Sequence, residues 1–90
     1  MYGFIEVKEQ FVSAGFSVKN FKIGHTEGSY SFDSDNTCYL GTVCHWPSST
    51  FEFQFVEIES GDVAVLETHE FSSIDSIKIY LNELFESRLR

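Results

Sequence analysis

Ninety residues are enough for one small hydrophobic core and too few for a second, so a single domain spanning residues 1–90 is expected. The apolar fraction of 42%, with ten phenylalanines, excludes a disordered tail. The net charge of −8 argues against a phosphate-gripping surface. The apolar stretches are short and broken by charge, and Met1-Tyr2-Gly3-Phe4 lacks the basic start and long apolar core of a leader. The expectation is therefore a cytoplasmic protein with no membrane or nucleic-acid partner.

Tyr2 to Ala14 predicts an amphipathic helix, with Phe4, Val7, Phe11 and Ala14 on one stripe and Gly15 as its C-terminal cap. From Phe16 to Ile23 the pattern turns β-like. Phe16 and Val18 share one parity and Phe21 and Ile23 the other, which predicts a bulge or bend near Asn20. Gly24 to Gly28 is turn-rich, and Tyr30 and Phe32 then alternate with serines as a short, half-exposed strand. Asp33 and Asp35 have the spacing that opens a calcium loop, but the glycine and distal glutamate of that loop are missing.

Cys38 to Trp46 reads as the next strand, with Pro47-Ser48-Ser49 as its turn. On one continuous strand Cys38 and Cys44 would lie about 20 Å apart, at roughly 3.3 Å per residue, so two free thiols are expected. Phe51-Glu52-Phe53-Gln54-Phe55 alternates with period 2, the mark of a strand with one buried face. Ser60-Gly61 separates it from another β-rich run and predicts a hairpin in which the glycine supplies positive φ. Read as a two-residue turn, it sets Phe55 opposite Leu66, Gln54 opposite Glu67 and Glu52 opposite His69. One face then holds Phe51, Phe53, Phe55, Ala64 and Leu66; the other holds Glu52, Gln54, Glu67 and His69, with Val56, Ile58, Val63 and Val65 nearer the turn.

A closing helix is expected after Ser72 and Ser73, its apolar stripe running Ile74, Ile77, Leu81, Leu84, Phe85, Leu89. Ser72 with Asp75 is a cap-like pair, and Lys78, Arg88 and Arg90 lie toward the end of the helix that tolerates positive charge. The fold class is thus α+β: an N-terminal helix, an antiparallel meander of about five strands, and a C-terminal helix, with both helices on one face of the sheet.

Between Lys22 and Lys78 there is no Lys or Arg, yet the interval carries Glu27, Asp33, Asp35, Glu52, Glu57, Glu59, Asp62, Glu67, Glu70 and Asp75. Such a surface either maintains solubility or attracts a basic protein. Catalytic patterns are missing. His25, His45 and His69 lie in separate segments without metal-ligand spacing, and neither a nucleophile elbow nor a phosphate loop occurs, so neither cofactor nor metal is expected. His69 beside Glu67 and Glu70 has two readings, a general base or a polar surface residue. Trp46 also has two, a core anchor or an aromatic contact at a partner surface.

Four runs, Gly41-Thr-Val-Cys-His-Trp46, Phe51-Glu-Phe-Gln-Phe-Val-Glu-Ile58, Ser60-Gly61-Asp62 and Val65-Leu-Glu-Thr-His-Glu70, together resemble the TriTu-type immunity proteins of bacterial toxin systems. The resemblance covers roughly Gly41 to Leu89. It departs where Pro47-Ser48-Ser49 replaces a glycine-containing turn and where Thr68 stands in place of a second His before His69. What the resemblance implies is a non-enzymatic inhibitor of the C-terminal domain of a contact-dependent growth inhibition or related polymorphic toxin. That toxin is similar to a transfer-RNA nuclease working with elongation factor Tu. The residues expected to meet it are Trp46, Glu52, Glu57, Glu59, Asp62, Glu67, His69 and Glu70. An acidic adaptor or anti-repressor binding another basic protein is the alternative.

Overall fold

A computed structural model describes residues 3–90, and the expected α+β architecture is present. In chain order the elements are α1 (Phe4–Ser13), β1 (Ser17–Ile23), β2 (Tyr30–Asp35), β3 (Tyr39–Trp46), β4 (Thr50–Glu57), β5 (Val63–Glu70) and α2 (Ile74–Ser87). The strands form one antiparallel meander in the order β1-β2-β3-β4-β5. Tyr2, the first residue of the expected helix, lies outside the described residues.

α1 forms because Phe4, Val7 and Phe11 recur at helical spacing and are all buried. Its end is chemically specified. The amide of Gly15, at φ 92°, donates to the Val12 carbonyl, and the amide of Phe16 donates to the Phe11 carbonyl. These are the two bonds of a Schellman cap, and its hydrophobic contact is the edge-to-face pair of Phe11 and Phe16, 5.3 Å between centroids. Ala14 is the exposed cap residue rather than part of the buried stripe.

α2 starts one residue later than the cap-like pair suggested. Ser73 is the N-cap, and its hydroxyl accepts the Ser76 amide at 3.1 Å while Ser76 Oγ accepts the Ser73 amide at 3.2 Å. This reciprocal box uses two serines, so it lacks the Glu or Gln that usually marks it. Ile77, Leu81, Leu84 and Leu89 are buried, as the stripe predicts. Arg88 is the C-cap residue, and none of the basic side chains lies in the last helical turn itself.

Both helices cover the same sheet face. Its rows, read across β2 to β5, are Tyr30-His45-Phe51-His69, Phe32-Val43-Phe53-Glu67 and Ser34-Gly41-Phe55-Val65. Gly41 is required by close approach: a Cβ there would overlap the Phe55 ring and the Gln54 carbonyl oxygen. The bulge foreseen near Asn20 is present. The β1–β2 register shifts between Lys19 and Lys22, and Asn20 takes φ 55°.

The β4–β5 register corrects the expected one. Gly61 has positive φ, 75°, as anticipated, but the strands end at Glu57 and resume only at Val63, and the register shifts between Phe55 and Val56. Phe55 therefore faces Val65, Phe53 faces Glu67 and Phe51 faces His69. Every β5 side chain beyond the bulge exchanges faces relative to the two-residue-turn expectation. Leu66 joins the open face, whereas Glu67 and His69 join the phenylalanines beneath the helices.

The β3–β4 turn carries two consecutive left-handed residues that are not glycine, Ser48 (φ 67°) and Ser49 (φ 54°). Left-handed backbone costs a non-glycine residue roughly 1–2 kcal/mol. Ser48→Gly is expected to raise stability by about 0.5–1 kcal/mol in urea denaturation. Gly41→Ala is expected to lower it by about 1–3 kcal/mol in the same assay, the usual cost of overpacking.

Candidate functional site

The uncovered face of the sheet is built of rows that grade from polar to apolar. From the Trp46 end they read Trp46-Thr50-Glu70, Ser31-Cys44-Glu52-Thr68, Asp33-Thr42-Gln54-Leu66 and Asp35-Leu40-Val56-Val63. Alternation forces this composition, because β4 must turn Phe51, Phe53 and Phe55 inward and so turns Thr50, Glu52, Gln54 and Val56 outward.

Trp46 is 38% exposed at the end of β3, so it is a surface aromatic and not the core anchor. Glu52 is half-buried at the centre of this face, between Cys44 and Thr68, and Glu70 is exposed beside Thr50. Glu57, Glu59 and Asp62 cluster on the exposed β4–β5 connection. Ser60 Oγ donates to the Glu57 carboxylate at 2.6 Å and accepts the Asp62 amide at 3.2 Å, which holds the turn. On the far side of the same face, Asp33 accepts from Thr42 Oγ1 at 3.1 Å and Asn20 Nδ2 at 2.9 Å, and Lys19 pairs with Asp35 at 2.8 Å.

Glu67 and His69 do not belong to this surface, contrary to the expectation that they stand beside Glu52. Glu67 sits under α2, where its carboxylate accepts from Tyr80 Oη at 2.8 Å, from His69 Nε2 at 3.0 Å and from the Arg88 guanidinium. Arg88 also pairs with Glu83 at 3.1 Å and lies over the Tyr80 ring. The hydrogen bonds from His69, Arg88 and Tyr80 hold the Glu67 carboxyl at about 2, well below its ordinary 4.5. Burial, reinforced by Glu67, pushes the Tyr80 phenol up, so it remains a donor at neutral pH. The cluster fastens α2 to β5. Three donors thus share the Glu67 carboxylate, and His69 is held beside the Tyr80 ring, 4.7 Å between centroids.

His45 is buried between Phe4, Tyr30 and Phe51, with its Nδ1–H donating to the Gly28 carbonyl at 3.2 Å, and burial lowers its pKa. Burial, then the charges of Glu52 and Asp33, pushes the Cys44 thiol up; both cysteines are free. Among the described residues no group of His, Cys, Asp and Glu could hold a metal ion, and no helix is long and apolar enough to cross a membrane.

Sequence reasoning missed two features. At the apolar end of the open face Val56 and Val63 were expected, but Leu66 was hidden by the register shift and Leu40 was assigned to no face; the Tyr80–Arg88 partnership with Glu67 spans two elements. A weak signal for the latter existed: Tyr80 and Arg88 are two turns apart on one side of α2.

One face covered by helices and one open, acid-bearing face define a small α+β domain. The chain belongs to the TriTu immunity protein family, whose model matches residues 4–87, from the start of α1 to the end of α2. No match was found among curated proteins. The family assigns an immunity function, and with it a cognate toxin as partner.

Glu67 supplies a pH test. A depressed folded pKa contributes stability that is complete above the unfolded value, near 4.5, and is lost as pH falls toward 2. Wild-type Tm, followed by circular dichroism, is expected to fall through that window. Glu67→Gln is expected to lower Tm at pH 7 and to flatten the fall between pH 4.5 and 2.

Proposed function

We propose that this immunity protein acts by stoichiometric binding, without catalysis, to the C-terminal nuclease domain of a contact-dependent growth inhibition or related polymorphic toxin. The toxin is a transfer-RNA nuclease, and the complex can include elongation factor Tu. The observation that carries this reading is the open face itself. Glu52 and Glu70 stand near exposed Trp46 toward one end of it, Glu57, Glu59 and Asp62 add charge at the β4–β5 turn at the other end, and no Lys or Arg lies on β3, β4 or β5.

A nuclease that grips RNA must present Lys and Arg. Carboxylates on a rigid sheet can occupy those groups, and their field speeds association of oppositely charged surfaces. Because the strands hold them in fixed register, little ordering cost is added on binding. The RNA phosphates and the immunity protein then compete for the same cations. Glu67 and His69 contribute by locking α2 and the β5 edge rather than by touching the toxin. No nucleic acid contacts this acidic surface, and the complex acts in the cytoplasm, where transfer RNA is found.

The test is binding and inhibition of the C-terminal domain of the cognate toxin. Wild type is expected to block its cleavage of transfer RNA at equimolar ratio. Glu52→Lys combined with Glu70→Lys is expected to weaken affinity by about 10-fold or more at low salt and to reduce the salt dependence of the Kd. An unchanged Kd for that double variant would overturn the acidic surface as the contact. Gel filtration with and without elongation factor Tu tests its place in the complex.

A further inference from the structure

We infer that the apolar end of the open face seats one large apolar side chain of the toxin domain, carried on a segment in which Lys or Arg flanks it. This rests on the proposed toxin-binding role and names the chemistry of the element that docks.

The seat is a groove of about 350 Å³ crossing β3, β4 and β5, walled by Leu40, Val56, Val63 and Leu66. Its opening follows from the β4–β5 irregularity. Gln54 and Val56, two residues apart, face Leu66 and Val63, three residues apart, so the extra residue spreads the β5 wall. Leu40, Val63 and Leu66 are 48%, 65% and 62% exposed, and Ile58 beside them is 52% exposed. Single exposed apolar residues are ordinary, but several grouped around one groove mark an interaction site. Both helices lie on the opposite face, so neither of them covers it.

Charge decides the occupant. Asp35 adjoins Leu40 across the sheet, Gln54 separates Glu52 from Val56 by a single row, and Glu59 and Asp62 are exposed on the turn between Val56 and Val63. The nearest cation on this face, Lys19, is engaged by Asp35. A second copy of this chain would bring two such rims together at a net charge of −8 each, which repels. An apolar side chain with basic neighbours satisfies groove and rim at once. The rim then governs the rate of encounter, and the desolvated side chain governs the residence time.

The experiment titrates the C-terminal domain of the cognate toxin into wild type, Leu66→Ser and Val63→Ser by calorimetry at several salt concentrations, with sedimentation of each free protein. Because both side chains are mostly exposed, the variants are expected to melt close to wild type. Their Kd is expected to rise by about 10-fold or more, with the salt dependence unchanged. The Glu52 and Glu70 charge reversal also weakens binding but reduces the salt dependence, so the salt series tells the two apart.

Wild-type affinity in both variants would overturn the groove while leaving the acidic surface standing. No binding by wild type would overturn the toxin reading itself. A wild-type dimer that Leu66→Ser dissociates would assign the groove to a second copy. Amide shift mapping on wild type gives a readout that does not depend on variant folding. Shifts at Leu40, Val63 and Leu66 on toxin addition support the proposal, and shifts confined to Glu57, Glu59, Asp62 and Glu70 overturn it.

Discussion

Every layer of this domain meets at the ring of Phe11. It stacks 5.4 Å from Phe55 at an interplanar angle of 10°, and meets Phe85 of α2 edge-on at 4.9 Å. On its remaining sides it touches Phe16 and Phe32, so one side chain joins the end of α1, the sheet and the closing helix. Edge-to-face and offset geometries favour the ring quadrupole, and each such pair adds about 0.5–1.5 kcal/mol beyond the area it buries. In a chain this short the aromatic cluster has to be one-sided, because there is too little chain to cover both faces of five strands. The open face is thus a direct result of how the core is made.

That constraint explains which parts of the architecture were legible. Strong helical periodicity in α1 and α2 and strict alternation in β4 each point to one secondary structure, and each formed as expected. The parity switch between Val18 and Phe21 correctly located the bulge at Asn20. The register of β5 was illegible for a physical reason. Val63-Ala64-Val65-Leu66 is apolar at four consecutive positions, so period 2 leaves no mark, and a turn of unknown length then fixes the faces. The capping box of α2 was similarly obscured, since Ser72, Ser73 and Ser76 offer equivalent hydroxyls at adjacent positions.

The same slip explains what was read wrongly about the candidate surface. Glu67 looked like one more solvent-facing acid in a run without bases. Its face depends on register alone, and register places it within reach of Tyr80 and Arg88. Removing it from the outer surface leaves an open face with Glu52, Glu70 and Trp46 toward one end and aliphatic side chains, bordered by Asp35 and the turn acids, toward the other. Glu70 and the turn acids Glu57, Glu59 and Asp62 are exposed, and Glu52 is half-buried on the open face.

The bulge at Asn20 has a bearing on how the protein waits for its partner. β1 is an outer strand of the sheet, and outer strands offer unpaired backbone groups on which further chains can polymerise. A left-handed residue and a register break in the middle of β1, with Lys19 and Lys22 on either side, interrupt that template. The irregularity in β1 thus guards one outer edge of the sheet against pairing with a further chain.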